Sequence, residues 1–171
     1  MRLRGFYGWL SDYSLGETKV NFDYPDTVRF RCIKCGICCG DTEEKTRHVL
    51  LLEKEAEQIA KATSQPTSEF AVKIDDRTPY KYEMKKSETG KCVFLENNCC
   101  TIYSLRPLVC RFYPFELKSS SNGKHRFLFT EECLGINKGR MLGEGYFRKM
   151  FRLACAKHKQ AADSDREADS V

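Results

Sequence analysis

No stretch of this chain approaches the ~20 apolar residues that a membrane-spanning helix requires, so no membrane partner is expected. Residues 1–15 carry Arg2 and Arg4, but Gly5, Gly8, Ser11 and Asp12 break up the apolar core that a signal peptide needs. There is no Gly-rich phosphate loop, no HExxH pattern and no Ser–His–Asp set, which removes the standard nucleotide-binding and hydrolytic enzymes. The three histidines, His48, His125 and His158, share no ligand-like spacing and read as ordinary surface or boundary residues. Internal repeats are lacking too. The expected setting is the cytoplasm, where thiols stay reduced and clustered cysteines more often hold metal than pair.

What the chain has in excess is sulfur. Ten cysteines in 171 residues exceed ordinary usage, yet fall short of a miniature disulfide scaffold. A chain of this length also buries a core without such staples. Four of the ten fall in Cys32-Ile33-Lys34-Cys35-Gly36-Ile37-Cys38-Cys39-Gly40. Thiolates two residues apart, on a loop whose glycines accept positive φ, can converge on one soft cation. The Cys-x2-Cys-x2-Cys run matches the first three positions of the bacterial ferredoxin pattern, where a distant cysteine completes a [4Fe–4S] site. The x3-Cys-Pro that follows in ferredoxins is missing. Cys-x2-Cys is also a zinc knuckle, although the later cysteines are spaced too widely for a zinc ribbon. Cys38 and Cys39, as neighbours, are expected to diverge, so that they serve two centres or one stands outside. The net charge of +5 counts cysteines as neutral. Eight thiolates around two Zn²⁺ ions would bring it to about +1.

Taken in order, Val28–Cys32 alternates like a half-buried strand and feeds the cysteine loop. Val49–Leu51 reads as a short buried strand. Leu52, Ala56, Ile59 and Ala60 then take helical spacing, with Glu53, Glu55 and Glu57 early and Lys61 late, which suits the helix dipole. Thr63–Pro66 stops that helix, and Pro66 opens another through Phe70. Tyr80, Tyr82 and Met84 alternate as a strand. Two β-prone runs flank Asn97-Asn98, which predicts a hairpin bringing Cys92 near Cys99 or Cys100. Pro107 opens one or two turns ending close to Cys110. Phe112–Leu117 and Lys124–Thr130 predict a hairpin around residues 119–123 that delivers Cys133. Tyr146, Phe147, Met150, Phe151 and Ala154 share one helical face over Glu144–Lys157. Beyond Lys159 the chain is polar and expected to fray.

Several motifs stand in register: Phe30-x-Cys32-x2-Cys35-Gly36-x-Cys38-Cys39, then Cys92-x-Phe94-Leu95. After them come Cys100-x-Ile102-Tyr103-x2-Arg106-Pro107-x2-Cys110-Arg111-x-Tyr113-Pro114 and Cys133-x-Gly135. Over residues 30–135 this series resembles the CxxCxxCC cysteine-cluster family (YkgJ-like), a family of zinc- or iron-chelating domains. The resemblance implies a ligand set of Cys32, Cys35, Cys38, Cys39, Cys92, Cys100, Cys110 and Cys133. Cys99 falls just before a family position and Cys155 lies outside the motifs, so both read as spares. Flagellin lysine N-methylases carry a similar cluster, but this chain has no separate methyl-donor motif and that activity does not carry over. Arg106 and Arg111 flank Cys110, as hydrogen-bond donors to bound sulfur, as a clamp on an anionic substrate, or as partners of Glu116 or Glu131. Tyr103 and Tyr113 read either as a cover that keeps water from the site or as plain core.

The expected architecture is a small, irregular, metal-centred α+β single domain with short β-hairpins and two or three helices. Residues 1–29 form an arm packing on the core, 30–158 the cysteine-cluster domain and 159–171 a polar tail. The ferredoxin-like run, and the excess of eight thiols over one tetrahedral site, favour an iron–sulfur centre of the [4Fe–4S] kind. It would serve electron transfer or a cluster-dependent enzyme, with a redox or protein partner. The alternative is a Zn²⁺-stabilised binding module, with nucleic acid a less favoured partner through the basic region 101–155.

Overall fold

In chain order, β1 (Phe22–Asp23) and β2 (Arg29–Phe30) precede the cysteine loop. They are followed by β3 (Leu50–Leu51), α1 (Glu53–Thr63), α2 (Thr67–Phe70), β4 (Ala71–Lys73) and β5 (Tyr82–Met84). The later cysteines travel on or beside β6 (Leu95–Glu96), β7 (Cys99–Cys100) and α3 (Leu108–Phe112). β8 (Phe115–Ser119), β9 (His125–Phe129), β10 (Ile136–Met141) and α4 (Glu144–Ala168) complete the chain. This computed structural model describes residues 22–119 and 124–168. The expected N-terminal arm therefore lies outside the described residues up to position 21, as does the turn at 120–123. The architecture is α+β, with short sheets of two or three strands.

The chain divides into two units. Cys32–Tyr113 forms one, and Met1–Arg31 together with Pro114–Val171 forms the other. In Cys32–Tyr113 the sheet order is β3-β5-β4, and β6 pairs with β7 as a separate hairpin. α1 lays Ala56 and Ile59 against Leu51, Phe70, Ala71, Met84, Phe94 and Ile102 to make the core. Phe70 and Phe94 pack as tilted rings 5.4 Å apart. A side chain of this kind stabilises by about 1.5–3 kcal/mol when taken fully from water. Cys92 and Cys100 are packed on the same cluster, so this core is also the wall of the cysteine site. α1 ends at Ser64, whose left-handed backbone (φ 55°) turns the Gln65 N–H back to the Ala60 carbonyl at 3.2 Å.

In the other unit, β8 and β9 form the expected hairpin, with Phe115 opposite Phe129 and Leu117 opposite Phe127. β1 adds to β9 in parallel. β10 pairs antiparallel with β2, through an irregularity between Ile136 and Met141. Gly135 is needed for that ribbon, because a Cβ there would stand 2.5 Å from the Arg31 carbonyl oxygen. α4 buries Phe147, Met150, Phe151 and Ala154, the helical stripe that the sequence predicts, with Tyr146 half-buried beside them, and the buried face extends to Cys155 and His158. Phe147 stacks with Tyr24 at 5.2 Å and meets Phe115 edge-on at 5.3 Å.

α4 does not fray at Lys159; it continues to Ala168. Ala161 and Ala162 favour helix, the Ser164 hydroxyl donates to the Gln160 carbonyl, and Arg166 pairs with Asp163 one turn back. No helix among the described residues is long and apolar enough to cross a membrane.

Two histidines expected at the surface or boundary are instead buried, His125 on β9 and His158 on α4, where apolar side chains of the same unit surround them. His158 makes stability pH-dependent. Burial lowers its pKa from 6.5 to about 4. Between those values the unfolded chain binds more protons, so stability is full above about pH 6.5 and falls as pH drops toward 4. The urea midpoint is expected to fall between pH 7.5 and 5 by more in the native chain than in His158→Gln. Equal falls would show that this histidine is not the source.

Candidate metal centre

The cysteine loop gets its shape from a few unusual backbone positions. Lys34 and Gly36 take positive φ (56° and 73°), and Ile37–Cys39 then winds as one 3-10 turn closed by Cys39 N–H to Gly36 carbonyl, 2.9 Å. This turn overturns one expectation. Cys38 and Cys39 do not diverge: their Sγ atoms lie 3.7 Å apart, within hydrogen-bond range for sulfur. The tight 3-10 winding, in place of an extended backbone, brings the neighbours onto one side.

Long-range bonds fix the loop against the segment that carries Cys92. The Cys92 N–H donates to the Cys39 carbonyl at 2.7 Å, and Lys86 pairs in a β-bridge with Cys92. Lys86 Nζ also reaches Asp41 Oδ1 at 2.7 Å, the same oxygen that accepts the Arg47 N–H at 2.7 Å. These contacts hold the Asp41 carboxyl below the usual range, Lys86 being the largest cause. Gly40 leaves no room for a side chain, since a Cβ would overlap Lys91 and stand 2.9 Å from the Gly90 carbonyl.

β6 and β7 form the two-residue hairpin that Asn97-Asn98 predicts, both asparagines having positive φ (48° and 60°). Leu95 faces Cys100 and Glu96 faces Cys99. Alternation along β7 therefore packs Cys100 on the core and leaves Cys99 exposed. α3 begins after Pro107, as expected, and places Cys110 on its single turn.

Four thiols share one field. Burial is the largest cause of the raised pKa of Cys110, and Cys92, Cys38, Cys100 and Glu55 push it the same way. Cys92 is raised by burial and then by Cys100 and Cys38; Cys100 is raised by burial and then by Cys38. Cys38 is raised first by its hydrogen bond with Cys39, then by burial. Set against this, the Phe94 N–H donates to Cys92 and the Ile102 N–H to Cys100, both favouring thiolate. Arg47 lowers Cys38 and Arg106 lowers Cys100. Such a group resists carrying four negative charges alone, yet has amide donors and two guanidinium groups arranged to support them. A bound cation would tip these thiols to thiolate. Among the described residues no three Cys, His, Asp or Glu side chains are drawn together tightly enough to hold a single ion.

The remaining cysteines differ. All ten are free thiols. Cys32 is exposed and Cys35 half-buried. Cys133 is buried in the Pro114–Val171 segment, its carbonyl capping a turn with the Ile136 N–H. Cys155 is buried on α4, and burial pushes its thiol up to about 11.

The two expected arginines have different roles. Arg111 Nε donates to the Arg106 carbonyl at 2.8 Å and Nη2 to the Ser104 carbonyl at 2.5 Å, so it staples the backbone ahead of α3. Arg106 lies 3.7 Å over the Tyr103 ring, and its buried Nε has no hydrogen-bond partner. Tyr103 is half exposed and serves as that platform; Tyr113 does the same for Arg47, at 5.3 Å.

Two site residues escape sequence reasoning. Arg47 sits in a run of mixed charge without a motif. Glu55 looks like one of three acids suited to a helix start, but it is buried and bridges two helices. Its carboxylate accepts the Leu52 N–H at 3.2 Å and the Leu108 N–H at 3.0 Å. The spacing from Leu52 to Glu55, the returning half of a capping box, is the one signal that could have found it.

Comparison with known proteins gives a concordant result. The CxxCxxCC family, described as "Putative zinc- or iron-chelating domain", matches residues 31–134. The uncharacterized protein MJ0661 of Methanocaldococcus jannaschii is 33% identical over 131 residues, 74% of this chain and 67% of that protein. A second protein of that organism, the uncharacterized MJ0939, is 28% identical over 119 residues, 67% of this chain but 39% of its own length. No solved structure matches. With the family pattern running through the cysteine loop, the hairpin and α3 alike, the chain belongs to the CxxCxxCC family of zinc- or iron-chelating, cysteine-based metal-binding proteins.

Proposed function

We propose that Cys32–Tyr113 holds an iron–sulfur centre of the [4Fe–4S] kind, with Cys38, Cys92, Cys100 and Cys110 as its protein ligands, and that the protein works in electron transfer. One observation carries this reading. The Cys32-x2-Cys35-x2-Cys38 run has the ferredoxin-like spacing, in which successive thiolates take separate irons. Its last member, Cys38, lies within the electrostatic reach of Cys92, Cys100 and Cys110. The donor set is all sulfur, the preference of zinc and of iron–sulfur clusters alike, so the run is what favours the cluster.

When bound, the cluster supplies one-electron chemistry. The residues around it do the rest. The Phe94 and Ile102 N–H groups and the Arg106 Nε–H stabilise sulfur charge, and this kind of outer support sets both affinity and potential. Arg47 offsets the charge at Cys38. Cys39, beside Cys38, serves as a neighbouring donor.

Anaerobic purification with assay of iron, acid-labile sulfide and zinc tests the reading. A brown protein with stoichiometric iron and sulfide, bleached by dithionite and restored by air-free oxidant, is the expected result. A colourless protein with one zinc per chain overturns it and leaves a zinc-stabilised module.

A further inference from the structure

The β2–β10 ribbon presents a dense group of cations. Arg29 and Arg31 stand two residues apart on the β2 side, and Lys138 and Arg140 on β10; all four are exposed. The ribbon has a close geometry. Arg29 Nη1 donates to the Gly139 carbonyl at 3.1 Å, and a Cβ at Gly139 would lie 2.7 Å from the Arg31 Cβ. Both arginine stems thus lie along the stretch between Lys138 and Arg140. Neither strand contains an acidic residue. The nearest carboxylates in sequence lie outside it, Asp26, Glu131 and Glu132 in turns and Glu144 at the start of α4, where it pairs with Arg148.

Among the described residues, no carboxylate pairs with any of the four ribbon cations. Four exposed cations on a two-stranded ribbon that bears no acid make a surface for a polyanion. The spacing narrows the class. Side chains two residues apart on a strand stand about 6.7 Å apart. For Arg29 and Arg31 that is comparable to the separation of neighbouring phosphates along one nucleic-acid strand.

We propose that this ribbon binds the phosphate backbone of nucleic acid without regard to sequence. Its four cations are the groups that such binding uses, so it is electrostatic and salt-dependent. The proposal rests on Met1–Arg31 with Pro114–Val171 alone and stands whichever metal the other unit holds.

The test is a salt titration of the full chain, as purified with its metal, against a labelled 20-base-pair DNA duplex, the matching single strand and the matching RNA duplex. Four phosphate contacts give a slope of about −3.6 in log affinity against log salt for duplex. Affinity is then expected to fall about 150-fold between 50 and 200 mM salt. The triple variant Arg31→Gln, Lys138→Gln, Arg140→Gln should reduce the slope to about −0.9. Arg29 is kept there because its guanidinium also holds Gly139. A control with the same charge change, Lys61→Gln, Lys73→Gln, Lys159→Gln, should keep the native slope. Unchanged metal content and urea midpoint show that the ribbon variant is folded. No binding to any of the three probes overturns the proposal. So does an equal loss of slope in both variants, or binding only to phosphatidylserine vesicles.

Discussion

Cys110→Ser is expected to strip the metal from the protein and to unfold Cys32–Tyr113, while Cys155→Ser leaves metal content unchanged. Cys110 is the thiol on which the other three act, and a serine hydroxyl is a poor ligand for a soft metal. At sites of this kind the binding energy is folding energy, about 10–16 kcal/mol for structural zinc in small peptides. That is as large as the ~5–15 kcal/mol that holds a whole domain together, so the loss is not locally contained. Cys110 is a sharper choice than Cys38, because Cys39 lies 3.7 Å from Cys38 and can substitute for it. Iron, sulfide and zinc per chain, with limited proteolysis of the Cys32–Tyr113 unit, read out the result. Cys155→Ser places a hydroxyl in an apolar position, for a cost of about 1–3 kcal/mol, without touching the metal. Equal metal loss in both variants would overturn the ligand assignment.

Glu55→Ala is expected to destabilise by about 2–6 kcal/mol, since two buried N–H donors lose their acceptor at about 1–3 kcal/mol each. The effect reaches the metal. Leu108, whose N–H is one of the two donors, stands at the start of α3, and Cys110 lies two residues further on the same turn. A slack α3 misplaces that thiol, so metal retention against a chelator should fall along with the urea midpoint. Glu55→Gln keeps a carbonyl oxygen for one N–H and should lose about half as much. An alanine variant with the native midpoint would remove Glu55 from the support of the site.

The parts of this fold that were legible are those fixed by a few consecutive residues. Asn97-Asn98 takes the left-handed conformations a two-residue turn demands, and Pro66 and Pro107 each precede a helix at its N-cap. The stripe from Phe147 to Ala154 has one reading because the helical period repeats. β10 was not legible. Ile136–Met141 bears no alternation, and Asn137 and Gly139 take positive φ (62° and 73°) within it, so it resembles a turn until Phe30 supplies a partner. In the site, sequence order brought out the cysteines but not how they divide. Nothing in Cys32, Cys35, Cys38 and Cys39 as letters separates Cys38, in the field of the later thiols, from the exposed Cys32. That division comes from the 3-10 turn and the bond from Cys92 to Cys39, contacts made across more than fifty residues.

Those same contacts set an order of assembly. Cys92, Cys100 and Cys110 lie within nineteen residues, positioned by a hairpin and a single helical turn, structures that form within microseconds. Cys38 joins only when a far longer loop closes, and such closure is the slower event. With the proposed ligand set, a folding chain thus offers three donors with one side open before it offers four, and the CxxCxxCC loop closes last, as a latch.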